Sequence, residues 1–174
     1  DDLSALKAWV RDHPGQLATM RDPEGRSPLN WALAKGFVEM VGFLIANGAD
    51  AAAMDSSGRP PLLLTIEAGQ LAVLQKMESV ATRAVREEVF PLSPVEFALL
   101  KGKVEIADWL LELQPDVKRP CLTGGTLLHL AVRKAPGRVV QRLLTLGVDP
   151  KLRDYRERTP LHFAVPIGSE LLVA

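Results

Sequence analysis

Apolar residues in this chain recur in short stretches with helical spacing, and the stretches repeat in step. Val38, Val41, Leu44 and Ile45 fall on one helix face. The spacing returns at Leu71, Leu74 and Met77, at Val104, Ile106, Leu110 and Leu111, and at Val139, Val140, Leu143 and Leu144. Each stretch predicts an amphipathic helix too short to stand alone, so its apolar face needs a stacked neighbour. Ahead of each lies a second phrase: Ser27-Pro28-Leu29-Asn30-Trp31-Ala32, Pro60-Pro61-Leu62-Leu63-Leu64-Thr65, Ser93-Pro94-Val95-Glu96-Phe97-Ala98 and Thr126-Leu127-Leu128-His129-Leu130-Ala131. A fifth, Thr159-Pro160-Leu161-His162-Phe163-Ala164, closes the series, and every step between phrases is 33 residues.

Each phrase reads as a helix start. Ser or Thr at the N-cap accepts a bond from a backbone N–H that has no partner in the helix, and Pro at the first helical position loses nothing by lacking its own N–H. Three residues beyond the cap stand Asn30, Glu96, His129 and His162, each able to reach back to it, and Ser93-Pro94-Val95-Glu96 has the form of a capping box. Eight residues after Pro28, Pro61, Pro94, Leu127 and Pro160 come Gly36, Gly69, Gly102, Ala135 and Gly168, suited to a sharp helix-to-helix turn. Gly48-Ala49-Asp50 and Gly147-Val148-Asp149 stop the second helices.

The period, the Thr-Pro-Leu-His-x-Ala phrase and the lead-ins Asp22-Pro23-Glu24-Gly25 and Asp55-Ser56-Ser57-Gly58 resemble the ankyrin-repeat family, over about residues 22–174. The resemblance implies an all-α solenoid of stacked helix-turn-helix units with projecting β-turn loops, and no catalytic residues or cofactor. On this register residues 22–54, 55–87, 88–120 and 121–153 are repeats one to four, and residues 154–174 are a fifth, truncated or a C-terminal cap. Residues 1–21, with Leu3, Leu6, Trp9, Val10 and Leu17 near helical spacing, form an N-terminal capping half-repeat, the whole making one domain. Three repeats depart from the pattern. Pro60 and Leu63 leave repeat two's first helix the least well capped, and its second helix runs into Met77-Glu78-Ser79-Val80 without a glycine stop. Glu88-Val89-Phe90-Pro91 replaces the Asp-x-x-Gly lead-in of repeat three, predicting an irregular connection there, and Pro166 shortens the first helix of repeat five.

Composition excludes some classes. The chain has 174 residues, no apolar run long enough to span a membrane and no signal-peptide pattern, and its lack of an initiator Met suggests a piece of a longer protein. The single cysteine, Cys121, has no internal disulfide partner, which suits a cytoplasmic or nuclear setting. Net charge is zero but uneven: residues 118–174 carry 10 basic and 4 acidic groups, against 5 and 7 in residues 1–50. A basic end suits a partner with an acidic rim.

Enzyme chemistry finds little support. Cys121, His129 and Asp149 are the residue types of a thiol nucleophile, base and orienter, but Cys121 falls in a lead-in turn and His129 inside a helix start. Thr123-Gly124-Gly125-Thr126 lacks the Lys of a phosphate loop. His129 and His162 sit one repeat apart, about 8–10 Å, too far to share a zinc ion. Trp31 and Trp109 read as core residues, each worth about 3–5 kcal/mol on truncation to Ala.

What remains is recognition of another protein through the concave face of repeats three to five. Turn tips and first-helix positions there give Val89, Phe90, Leu92, Leu100 and Lys101, then Leu122, Arg133 and Lys134, then Tyr155, Arg156 and Arg158. Apolar anchors beside a charged rim are the usual anatomy of a hot spot. Two other readings stay open: a spacer or docking domain within a larger protein, with the apolar group an intramolecular interface, and a basic end that binds phosphates, anionic lipid or nucleic acid; for Phe90 itself the alternative to exposure is folding inward to plug the irregular connection. Tyr155 alone supplies an aromatic beside those charges, so stacking on bases has little to work with.

Overall fold

A computed structural model describes residues 3–13, 15–23, 25–51, 54–55, 58–86, 92–122 and 124–164, and every regular element among them is helical. The first helices of the five repeats are α2 (Pro28–Lys35), α4 (Pro61–Ala68), α7 (Pro94–Leu100), α9 (Leu127–Lys134) and α11 (Pro160–Ala164). Each begins on the residue that the 33-residue register selects. The second helices are α3 (Val38–Ala46), α5 (Leu71–Lys76), α8 (Val104–Glu112) and α10 (Gly137–Thr145), with α1 (Leu3–Asp12) ahead of the array and α6 (Glu78–Arg86) between α5 and α7.

The chain resolves into two compact units, Asp1–Ala81 and Thr82–Ala174. In the first, α2 packs on α3 and α4, and α5 on α3 and α4. Its core joins Val10 and Leu17 to Leu29, Ala32, Leu33, Val41, Leu44, Val73 and Met77, with Leu6 and Trp9 of α1 packed partly against it. In the second, α9 contacts α7, α10 and α11, and α8 contacts α7 and α10, around Val95, Leu99, Leu110, Leu128, Val139 and Leu143. Within each unit, then, first helices stack on first helices and second on second. Fully burying one such Leu or Val contributes about 1.5–3 kcal/mol.

Helix ends follow local chemistry. Ser27 Oγ accepts from the Asn30 N–H at 3.1 Å. The Ser93 hydroxyl forms no cap bond, so its half of the expected capping box is not made, and Pro60 offers none. Gly36 and Gly69 end α2 and α4 in the left-handed region at φ 72° and 76°. Ala135 cannot take that route cheaply and instead adopts φ −119°, ψ 152°, with Pro136 opening α10. Where repeat two lacks its glycine, Met77 is fully buried and breaks the helix for one residue before α6 continues. The predicted irregular connection at residues 88–91 and the Pro166 effect lie outside the described residues.

Candidate interaction surface

The lead-in turns are held by a clamp repeated at the same register. Asp22, Asp55 and Asp154 each take the N–H of the Arg four residues on at one carboxylate oxygen, at 2.8, 2.9 and 3.0 Å. The other oxygen of each accepts from the side chain of the same residue, Arg26, Arg59 or Arg158, at 2.7, 2.9 and 2.8 Å. Burial works to raise the Asp154 carboxyl, but bonds from the Arg158 side chain and the backbone N–H groups of Arg158 and Arg156, with the Arg158 charge, hold it at about 2. Of the three, Arg158 was assigned to the recognition surface from sequence; in the structure each arginine also fastens its own turn. The signal was there as Asp-x-x-x-Arg at 22/26, 55/59 and 154/158.

Repeat four lacks the clamp, since Cys121 and Gly125 take the two positions. Cys121 is buried, and desolvation with the nearby Glu96 charge pushes its thiol up to about 12. That is the opposite of an activated nucleophile. Glycine at 125 has a packing reason, because a Cβ there would lie 3.0 Å from the His129 ring.

His129 is buried and spoken for at both nitrogens. The Thr126 backbone N–H donates to Nδ1 at 3.0 Å, so the ring proton sits on Nε2, and Nε2–H donates to the Arg158 carbonyl of the next repeat at 2.9 Å. The repeated histidine thus closes its own helix start and fastens the following turn. His162 repeats the first half, with Nδ1 accepting from the Thr159 N–H at 3.0 Å. Asp149 accepts from the Lys151 N–H at 2.8 Å, so Cys121, His129 and Asp149 each serve separate local bonds. Among the described residues no group of three or more His, Cys, Asp or Glu side chains could hold a metal ion.

The outward groups come together around the last two turns. Leu122 is 66% exposed and Tyr155 68%, and the Tyr155 N–H donates to the Gly124 carbonyl at 3.0 Å, tying the two turn tips. The Tyr155 ring lies so close to Gly124 that a Cβ there would collide with it. Arg156 lies 5.5 Å from the Tyr155 ring centre. Arg133 and Arg158 approach the Phe163 ring at 5.3 and 4.4 Å. Lys134 is exposed and donates to the Leu100 carbonyl at 2.9 Å, and the exposed Lys101 sits over Phe97 at 5.4 Å. Leu92 and Leu100 are half-buried, while Val89 and Phe90 lie outside the described residues.

The tryptophans correct a reading. Trp31 is 43% exposed and Trp109 only half-buried, so neither is a core residue. In α2 the buried set is Leu29, Asn30, Ala32 and Leu33, which at 100° per residue puts position 31 on the opposite face. Apolar side chains recur at that position because long cations cover them: Lys35 lies over Trp31 at 5.9 Å as Lys101 does over Phe97. Trp31 also joins Leu6, Met20, Met40 and Leu44 around a largely apolar cavity of about 420 Å³.

Known proteins place this geometry. Ankyrin-repeat family profiles match residues 24–53 and 123–155. Mouse Rabankyrin-5 (Mus musculus) is 28% identical over 155 residues, covering 86% of this chain and 13% of that protein. The probable 26S proteasome regulatory subunit p28 of Saccharomyces cerevisiae is 27% identical over 159 residues, covering 90% of this chain and 57% of that one. Mouse Inversin is 34% identical over 98 residues, 55% of this chain and 9% of Inversin. The chain therefore spans a minor part of Rabankyrin-5 and Inversin and somewhat over half of p28.

Proposed function

This chain is an ankyrin-repeat protein, and on that premise we propose that it is a non-catalytic module that binds a partner protein through the turn tips and first helices of repeats three to five. One observation carries the reading: Leu122 and Tyr155, both strongly exposed, sit on adjacent turns tied by the Tyr155 N–H bond to Gly124. Two large, strongly exposed side chains on turns tied to each other are a surface waiting for cover. Around them Arg133, Lys134 and Arg156 supply a cationic rim, so the fitting partner presents an apolar anchor with acidic neighbours. Leu92, Leu100, Lys101 and Arg158 extend the face; Val89 and Phe90, assigned to it from sequence, lie outside the described residues. A scaffold fixed by clamps and helix caps loses little conformational freedom on binding, so a few anchors suffice. A buried, reduced cysteine agrees with a cytoplasmic or nuclear home.

The test is site-directed photo-crosslinking in cells of the source organism. A crosslinking residue at 122 or 155 should capture one discrete partner, and the same residue at the exposed second-helix positions 39 and 105 should not. Tyr155→Asp with Arg156→Glu should abolish capture while leaving helical circular dichroism unchanged. Equal capture from all four positions, or capture that survives the double substitution, would sink the proposal.

A further inference from the structure

The fourth residue of every first helix is apolar: Trp31, Leu64, Phe97, Leu130 and Phe163, each one 33-residue step from the next. Where another first helix precedes it in the same unit, that residue meets it. Leu64 of α4 shares the wall of a cavity of about 290 Å³ with Leu33 and Ala34 of α2. Phe163 of α11 meets the His129 ring of α9 edge-on, with centres 6.0 Å apart, and lies 5.3 Å from the Arg133 guanidinium. Leu130 of α9, which packs on α7, is only 6% exposed, and Leu64 and Phe163 are half-buried. The position is a contact with the preceding repeat.

Trp31 holds this place in α2, and among the described residues no first helix precedes it. The ring is 43% exposed even with the Lys35 ammonium 5.9 Å from its centre. Beside it opens the cavity of about 420 Å³, with an apolar wall of Leu6, Met20, Pro28, Trp31, Met40 and Leu44. No residue of α4 lines it, so it opens on the side of α2 turned away from repeat two. An apolar wall of this size left to water calls for cover.

The register says what kind of cover fits. α1 (Leu3–Asp12) falls within two residues of one step ahead of α3 (Val38–Ala46), and it packs Leu6, Trp9 and Val10 against the core as a second helix does. It therefore takes the second-helix place of a preceding repeat. The first-helix place of that repeat lies one step ahead of Pro28, beside Trp31, and in chain order it comes directly before α1. α2 and α4 show what fills such a place: a helix of 8 residues that starts on a proline and buries one apolar stripe.

We propose that the open side of α2 is the seat of a short amphipathic helix of this same polypeptide, supplied by the residues immediately ahead of Asp1 and packed on Trp31 as α2 packs on Leu64. Residues 1–21 are then the second half of a complete repeat and not an end cap.

The experiment uses the full-length protein that contains this chain. Hydroxyl-radical footprinting needs no substitution, and Met54, 56% exposed, and Met77, fully buried, set the two ends of its scale. Met20, 39% exposed without the proposed helix, should oxidise at a rate close to that of Met77. Photo-crosslinking then identifies the cover. p-Benzoylphenylalanine in place of Trp31 should attach to a peptide of the same chain within half a repeat ahead of Asp1, and in place of Leu64 it should attach to α2. A crosslinker at exposed Lys35, beside the ring, repeats the reading if position 31 does not tolerate the change. Met20 oxidising as fast as Met54 would show that side of α2 open and overturn the proposal. A crosslink from this side to a different polypeptide or to a distant part of the chain would overturn it too, as would none at all while position 64 still reaches α2.

Discussion

The junction between repeats four and five and the junction between repeats one and two share a register but close differently. At the first, buried His129 links the Thr126 N–H to the Arg158 carbonyl across the repeat boundary. At the second, Asn30 keeps its backbone bond to Ser27 and leaves its amide without a protein partner beside a cavity. The second helices differ in the same sense. Arg138 and Arg142 of α10 bind Asp108 of α8 at 3.2 and 3.3 Å, and Arg142 also reaches Glu112 at 3.1 Å, whereas α5 meets α3 through Lys76 and Glu39 at 3.6 Å. In a repeat array stability is roughly a sum of repeat and interface contributions, so one residue type at one register position can decide whether a junction is bridged by a side chain.

The largest effects should come from the cores. Leu44→Ala and Leu143→Ala each remove a fully buried side chain, one in each unit, at a cost of about 2–5 kcal/mol. Hydrogen exchange should show Leu44→Ala loosening residues of the first unit and Leu143→Ala those of the second. Equal loss of protection throughout the chain from either variant would mean that the two units unfold as one.

Next in size is the bridge itself. His129→Asn copies the repeat-one arrangement into repeat four, keeping the helix position while removing the ring that spans to Arg158. Loss of the bond and of buried volume should cost about 2–3 kcal/mol in urea unfolding, with exchange rising first around residues 154–164. A cost below about 0.5 kcal/mol would show that the comparison of junctions rests on packing alone.

Most of this architecture was legible in the chain. The 33-residue step located all five first helices to the residue, because Ser, Thr and Pro act locally at a helix start and need no tertiary context. Of the candidate surface, position along the chain was legible and exposure was not. Leu122 and Tyr155 were identified by position, and both are strongly exposed. Trp31 was misplaced because a periodic apolar residue looks like core until the helix face is resolved, and here the apolar ring lies under a lysine. Arg158 was assigned to the surface by position; its pairing with Asp154 was not read, because only the closed turn brings the two together. The break at Met77 had no sequence signal beyond a missing glycine, since what fixes it is burial of the methionine in the first unit's core.

The clamp adds a pH dependence to the comparison. Asp154 is held at about 2 against an ordinary 3.8, so its folded value is depressed and its stabilisation is complete above about pH 4. The contribution fades as pH falls from there toward 2. Protection of the Arg156 and Arg158 amides, which donate to Asp154, should decline over that window. In Asp154→Asn the same amides should be less protected at neutral pH and indifferent to the acid range. Parallel pH profiles for the two proteins would assign the loss to other carboxylates.

The smallest predicted difference lies on the second-helix side. Arg142 is about one-third exposed, forms an ion pair with the Asp108 carboxylate and donates hydrogen bonds to the Asp108 carbonyl and to Glu112, so its pairs are less screened than ordinary surface ones. Arg142→Ala should cost about 1 kcal/mol, and Lys76→Ala in the first unit, whose one ion pair spans exposed groups, about 0–0.5 kcal/mol. Raising salt should narrow the gap little, because the Arg142 carbonyl bond does not depend on ionic screening. A gap that vanishes in salt would reduce the second-helix contrast to exposed charge pairs and leave the His129 bridge as what distinguishes the two kinds of junction.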